Sequence, residues 1–177
     1  MNSQGKITGN FGRTENTQNI KNTGEVRIRP FQANDADRLV DIWLKGSLLS
    51  HDFIDPGYWE AQTGEMASQY LPNSKTYVLE EPENGTLLGF ISLVESYIAA
   101  LFIDVREQNR GYGKQLLNMA KDGHGLLSLK VYQKNNDAVR FYRKNGFVAV
   151  EEAKDPGTSE MEYVMEWRSD AATGSPS

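Results

Sequence analysis

Residues 101–117 read LFIDVREQNRGYGKQLL, a strand that passes through a glycine-bearing turn into a helix. The apolar run Leu101, Phe102 and Ile103 is typical of a buried strand, and residues 114–117 have the composition of a helix start. The first turn of a helix presents backbone N–H groups without intrahelical partners, and the helix dipole adds positive charge there. The turn therefore predicts a binding site for a phosphate or pyrophosphate group.

The turn itself supplies main-chain donors and positive charge. Gly111 and Gly113 lack a Cβ, so an anion can approach the main chain closely, and Arg110 and Lys114 add positive charge beside it. The predicted anion-binding residues are Gln108, Asn109, Arg110, Gly111, Tyr112, Gly113 and Lys114. Paired glycines also occur in ordinary strand-to-helix connections, so this motif alone leaves both interpretations open.

Composition and charge narrow the class of protein. The 177 residues suit one domain, and the absence of cysteine excludes disulfides, cysteine-bound zinc and a thiol nucleophile. With only two histidines, no metal site is expected. The net charge of −5, without a basic stripe, argues against nucleic-acid binding. Without a long apolar run or a signal peptide, the protein is expected to be cytoplasmic and not bound to a membrane.

Hydrophobic periodicity predicts one α/β domain over residues 25–168. Strands are predicted at 25–30, 76–80, 86–95, 97–104, 126–132, 147–152 and 160–167, and helices from 34 or 35 to about 46, and at 56–70, 111–121 and 137–145. Residues 1–24 are predicted to be a disordered leader, and residues 169–177 a disordered tail. This order predicts a mixed sheet of six to seven strands, with helices on both faces and parallel pairing where helices cross over.

A second motif, NNDAVRFYRKNGF, occupies residues 135–147. Helix packing explains the spacing of Ala138 and Tyr142, and Gly146 is a typical residue after a helix end. Packing does not require Asn135 seven residues before Tyr142. The pattern N-x-x-A-x-x-F-Y-x-x-x-G-F, one helix and one strand after the motif Gln/Arg-x-x-Gly-x-Gly/Ala, resembles the signatures of the GCN5-related N-acetyltransferase (GNAT) superfamily.

The resemblance covers residues 26–167 and is closest to small bacterial enzymes that acetylate protein lysines or small amines. Further shared features are His51, Phe53, Ile54, Tyr58, Trp59, the segment VYQKN at 131–135, Met165 and Trp167. The sequence also departs from the pattern. Val105 stands where proline is common, and Lys130 stands where relatives that acetylate ribosomal-protein N-termini carry a catalytic glutamate.

The resemblance implies a GNAT fold, acetyl-CoA as co-substrate and a role for each motif. Leu101, Phe102 and Ile103 would pair their backbone with the pantetheine arm, and the main-chain N–H groups of residues 109–114 would hold the pyrophosphate. Asn135 would hydrogen-bond the cofactor near its thioester, and Tyr142 would lie near the sulfur.

In the implied reaction a neutral amine attacks the thioester carbonyl directly. The backbone N–H of Ile103 would stabilise the oxyanion, and Tyr142 would protonate the departing thiolate as a general acid. His51 and Glu95 are the candidate bases. Each has a structural alternative: His51 as a capping or loop-ordering residue, Glu95 as a solvated carboxylate at a strand end, and Tyr142 as a core aromatic residue.

The favoured acceptor is a primary amine, specifically a protein lysine. The alternatives are a small amine, such as an antibiotic, polyamine or amino acid, and a non-catalytic sensor that binds acyl-CoA without turnover. The expected assembly is a monomer or a homodimer.

Overall fold

The computed structural model of the chain describes residues 25–170. Its strands are β1 (Arg27–Pro30), β2 (Lys75–Glu80), β3 (Leu87–Val94), β4 (Tyr97–Ile103), β5 (Leu126–Tyr132), β6 (Val148–Lys154) and β7 (Met161–Arg168). Its helices are α1 (Ala36–Ser50), α2 (Pro56–Glu60), α3 (Thr63–Glu65), α4 (Leu71–Asn73), α5 (Tyr112–Asp122) and α6 (Asn136–Lys144), with a π-helical turn at Met66–Tyr70. The predicted leader, and residues 171–177 of the predicted tail, lie outside the described residues.

The strands form one seven-stranded mixed sheet in the order β1-β2-β3-β4-β5-β7-β6, which confirms the predicted sheet. One core cluster packs α5 and α6 against one face, and a second packs α1 and the short helices against the other. We call these the α5–α6 face and the α1–α4 face. No helix between residues 25 and 170 has the length and apolar composition of a membrane span.

The predicted parallel pairing is right at one of the three helical connections, and the first, through α1–α4, joins β1 and β2 as antiparallel neighbours. β4 and β5 are parallel neighbours, joined through α5. After α6, however, β7 lies between β5 and β6 and is antiparallel to both. Side-chain burial gives the reason: β6 is exposed along most of its length, whereas β7 carries the buried residues Glu162 and Met165. The strand with buried side chains takes the interior position, and the exposed strand takes the edge.

A gap between β4 and β5 is the feature of the sheet that positions the site. The two strands pair only at Tyr97 and Ser128. On the other side of β4, Ala99 has no partner on β3 and is therefore the extra residue of a β-bulge. Beyond this point β4 and β5 run to their carboxyl ends without pairing. The Asp104 N–H donates a hydrogen bond to the Leu88 carbonyl of β3. Because successive N–H groups along a strand point to opposite sides, the Ile103 N–H points into the gap.

The helices before β2 differ from the prediction. α1 continues to Ser50, three residues beyond the predicted break at Ser47. The helix predicted at 56–70 begins at Pro56 as expected, but it divides into α2, α3 and the π-helical turn. The division falls where the Gln62 side chain donates to the carbonyl of Tyr58 and the Thr63 hydroxyl donates to the carbonyl of Glu60. Such local side-chain bonds compete with regular helix hydrogen bonds.

We expect Gly89→Ala to lower the free energy of unfolding by about 1–3 kcal/mol, because it overpacks the contact between β3 and β4. A Cβ at this position would lie 2.6 Å from the carbonyl oxygen of Phe102 and 2.5 Å from Cδ1 of Ile103. Urea denaturation measures the change. Gly64→Ala is the control, because its Cβ would meet no atom within 4 Å. Equal stability of the two variants would contradict the tight contact.

Candidate active site

The two sequence motifs meet in one groove of about 370 Å³ on the protein surface. One wall is the glycine-bearing turn with the start of α5, and the other is α6 with the residue that follows it. The lining residues are Ile103, Glu107, Gln108, Asn109, Gly111, Tyr112, Gly113, Lys114, Asp137, Arg140, Phe141, Lys144 and Asn145. The structure therefore brings together the motifs at 101–117 and 135–147.

The glycine-bearing turn has an unusual backbone conformation at two residues. Gly111 has φ +81° and Asn109 has φ +64°, both in the left-handed region that glycine and asparagine tolerate. The first helical bond of α5 runs from the Gln115 N–H to the Gly111 carbonyl. The N–H groups of Tyr112, Gly113 and Lys114 precede it, and their residues line the groove.

The charges of the groove differ in part from the prediction. Arg110 does not line the groove, and its guanidinium pairs with Glu107 at 3.0 Å. Lys114 lines it as predicted, and α6 adds Arg140 and Lys144, which sequence reasoning missed. The Gln108 Nε2 is buried and has no hydrogen-bond partner among residues 25–170. A donor of this kind, beside helix N–H groups and cations, fits a pyrophosphate group.

Asp104 fixes the point where β4 enters the turn. It is buried and accepts hydrogen bonds from Arg38 of α1 and from Arg106. Burial alone raises the pKa of Asp104, but the hydrogen bonds from Arg106 and Arg38 outweigh this effect and hold the pKa well below its usual range. The carboxylate therefore stays ionised and ties the turn to α1.

Asn135 joins the second motif to the other half of the protein. Its Oδ1 accepts a hydrogen bond from the Ala138 N–H at 3.3 Å and so caps α6. This assignment directs Nδ2 towards His51 Nε2, 3.2 Å away, so the imidazole accepts at Nε2 and carries its hydrogen on Nδ1. Helix capping thus accounts for an asparagine at the start of α6. A direct hydrogen bond from Asn135 to the cofactor stays a prediction.

The environment of His51 favours the loop-ordering alternative over the predicted role as a base. The side chain is 1% exposed, stacks on Trp59 at 5.0 Å between ring centroids and holds Asn135 through Nε2. Burial lowers the pKa of His51 to about 3, so the ring is neutral near pH 7 and is a weak proton acceptor. Because Nε2 is already occupied, this histidine orders the start of α6.

We expect His51 to make folding stability depend on pH between about 6.5 and 3. The unfolded imidazole binds a proton below its ordinary pKa, whereas the folded one does not until about pH 3, so stability is lost as the pH falls through this window. The slope is about 1.4 kcal/mol per pH unit. Chemical denaturation between pH 7 and 4 should show a shallower slope for His51→Gln, with His124→Gln as the control for loss of a histidine. Parallel curves for wild type and His51→Gln would contradict the buried neutral ring.

Tyr142 and Glu95, the other predicted catalytic residues, lie in different environments. Tyr142 is fully buried on the α5–α6 face, with ring contacts to Phe141 and Phe147. Glu95 is exposed in the tight turn between β3 and β4, with φ +54°. This turn lies at the start of β4, at the opposite end of the strand from the glycine-bearing turn. The structure therefore does not bring Glu95 and His51 together, and the position of Glu95 favours the solvated alternative.

A second cavity, of about 280 Å³, lies on the α1–α4 face beside the bulge of β4. Uncharged residues line it: Met66, Gln69, Tyr70, Asn73, Ser74, Ser92, Val94, Tyr97, Ala99 and Ala100. Sequence reasoning missed these residues. It also missed Asp155, whose carboxylate accepts a hydrogen bond from Tyr132 at 2.5 Å and thereby fixes the loop between β6 and β7 on β5.

Comparison with known proteins assigns the family. The family model described as an acetyltransferase (GNAT) domain matches residues 72–149. The peptidyl-lysine N-acetyltransferase YiaC of Escherichia coli is 35% identical over 141 residues, which cover 79% of this chain and 95% of that protein. The peptidyl-lysine N-acetyltransferase YjaB of Salmonella typhimurium is 31% identical, over 69% of this chain and 83% of that protein.

The fold agrees with the sequence comparison. The solution structure of apo-form YjaB from Escherichia coli superposes with a TM-score of 0.72 at 26% identity, and the match covers 81% of this chain and 97% of that chain. The seven-stranded sheet and the groove built by the two motifs thus occur in a chain with extensive similarity to acetyltransferases. The chain belongs to the GNAT family of acetyltransferases.

Proposed function

We propose that this acetyltransferase uses acetyl-CoA to acetylate the side-chain amine of protein lysines. The use of acetyl-CoA is supported by the groove between the glycine-bearing turn and α6, with its helix N–H groups and cations. A protein lysine as the acceptor is supported by the 35% identity to a relative named as a peptidyl-lysine N-acetyltransferase.

The cofactor is proposed to lie along the groove and to enter the gap between β4 and β5. Gln108, Asn109 and residues 111–114 hold the pyrophosphate, with Arg140 and Lys144 supplying charge from α6. The edge of β4 at Leu101 and Ile103 offers backbone groups to the pantetheine arm, because β5 does not pair with it there. The thioester then lies near the bulge at Ala99, between the groove and the second cavity.

The proposed chemistry is direct transfer. The nitrogen of the neutral amine forms a bond to the thioester carbonyl carbon, and the carbon–sulfur bond then breaks. The N–H of Ile103, which faces the gap, stabilises the oxyanion, and Tyr142 donates its proton to the departing thiolate. The burial of Tyr142 supports this role, because hydrogen bonds and proton transfers gain strength where water is excluded.

Release of free coenzyme A thiol from acetyl-CoA tests the function. The wild type is assayed with lysine peptides, spermidine, free amino acids and aminoglycosides, and mass spectrometry locates the acetyl group. Turnover with lysine peptides, acetylated at Nζ, is the expected result. Turnover with a small amine but not with lysine peptides would mean that the acceptor is a small molecule and not a protein lysine. Tight binding of acetyl-CoA without turnover on any amine would favour the sensor.

A further inference from the structure

Arg38 does not line the cofactor groove, yet it contacts the segment that leads into the glycine-bearing turn. It lies in the first turn of α1, where its Nη1 donates to the Asp41 carboxylate at 3.0 Å. Its Nη2 donates to the Leu87 carbonyl at the start of β3, at 3.2 Å, and to the carboxylate of Asp104, the residue after β4. The guanidinium therefore joins α1 to β3 and to the entrance of the turn with several directed hydrogen bonds.

Asp104 transmits this contact to the turn. Its Oδ1 accepts a hydrogen bond from the Arg106 N–H at 2.9 Å, and its carbonyl accepts one from the Glu107 N–H at 2.8 Å. A carboxylate that bonds the backbone two residues ahead fixes the local course of the chain. Glu107 and the next residue, Gln108, both line the groove. The position of the Asp104 carboxylate therefore determines where the cofactor-binding turn begins.

Arg38 is the more sheltered of the two arginines that bond Asp104. Asp104 is buried, and a buried carboxylate needs a cationic partner. The Arg106 side chain is 76% exposed, so water screens its ion pair, whereas the Arg38 side chain is 29% exposed. Arg38 is also held in place, because the next turn of α1 packs into the core through Leu39 and Ile42.

The carboxyl end of α1 contacts the other wall of the groove. His51, the residue after α1, accepts a hydrogen bond from Asn135, which caps α6. One buried helix thus contacts both the segment that leads into the turn and the start of α6. The relative position of the two walls therefore depends on α1.

We propose that Arg38 is a positioning residue for the cofactor: through Asp104 it holds the glycine-bearing turn in the conformation that binds the pyrophosphate of acetyl-CoA. This inference rests on the proposed function. A turn that is held before binding need not be ordered by the cofactor, so loss of Arg38 weakens binding. Ile103 keeps its place without Arg38, because it pairs with Gly89 of β3. The chemical step after binding should therefore change little.

Arg38→Met and Asp104→Asn test the proposal, by calorimetric titration with acetyl-CoA and by turnover with a lysine peptide. We expect each variant to bind acetyl-CoA about tenfold more weakly, with a matching rise in its KM for acetyl-CoA. At saturating acetyl-CoA, kcat and the KM for the peptide should stay within about twofold of the wild type, because only cofactor binding depends on the anchor.

The Asp104 variant separates positioning from charge attraction. Asp104→Asn removes a negative charge beside the site of an anion, so charge attraction alone would make acetyl-CoA bind more tightly. Loss of positioning makes it bind more weakly. The double variant should bind about tenfold more weakly than the wild type, not about 100-fold, because both substitutions break the same contact.

Lys45→Met is the matched control, because it removes another cation of α1 that pairs with Asp41, at 2.9 Å. Its affinity for acetyl-CoA should equal that of the wild type. Asp104→Asn keeps the size of the side chain and provides the test even if Arg38→Met folds poorly. Unchanged or tighter binding by Asp104→Asn, or additive losses in the double variant, would overturn the role of Arg38 and leave the proposed function intact. A wild type that does not bind acetyl-CoA would overturn the proposed function itself.

Discussion

Tyr142→Phe is expected to lower turnover about 100-fold to 10,000-fold while leaving the affinity for acetyl-CoA nearly unchanged. The substitution removes only the hydroxyl that would protonate the coenzyme A thiolate. The ring keeps its contacts with Phe141 and Phe147, so the packing of α6 on the sheet is preserved. The loss should therefore appear in kcat, because the proton is needed only as the carbon–sulfur bond breaks.

Tyr163→Phe is the matched control. Tyr163 packs against the same core cluster from β7, and its ring lies under the guanidinium of Arg143. Loss of its hydroxyl should leave turnover close to that of the wild type. Thiol release measures kcat, and calorimetry measures acetyl-CoA binding for all three proteins. If Tyr142→Phe turned over within threefold of the wild type, a different group would have to be the acid.

Local sequence signals predicted most of the secondary structure. β5 occupies 126–132 as predicted, and the ends of several other elements lie at Pro30, at the turn of Asn84 and Gly85, and near Gly146. Each of these residues acts through its own backbone conformation, so its effect is visible in the sequence. The insertion of β7 between β5 and β6 was not predictable in this way, because it depends on pairing between distant strands.

The features of the candidate site also divide into local ones, which the sequence predicts, and long-range ones, which it does not. The two motifs were found because each is a continuous segment, and the groove contains both. The pair of Arg110 with Glu107 is local and was available from the spacing of three residues. The contact of His51 with Asn135 joins residues 84 positions apart and has no sequence signal.

Gly111→Val is expected to weaken acetyl-CoA binding about 10-fold to 100-fold. At φ +81° the backbone strain of a residue with a Cβ is on the order of 1–2 kcal/mol, and it is larger for a β-branched residue. The turn can escape this cost only by changing its backbone, which moves the N–H groups at the start of α5 away from the pyrophosphate. Each 1.4 kcal/mol spent on restoring the turn costs tenfold in affinity.

Gly111→Asn separates backbone strain from steric collision. A Cβ at residue 111 would meet no atom within 4 Å, so neither side chain is excluded by its neighbours at that atom. Asparagine tolerates the left-handed region far better than valine. The affinity of the Gly111→Asn variant for acetyl-CoA should therefore stay within a few-fold of that of the wild type. Calorimetric titration of both variants gives the comparison. Equal losses for valine and asparagine would mean that the anion needs the space above Gly111, whereas no loss for either would remove this turn from the cofactor site.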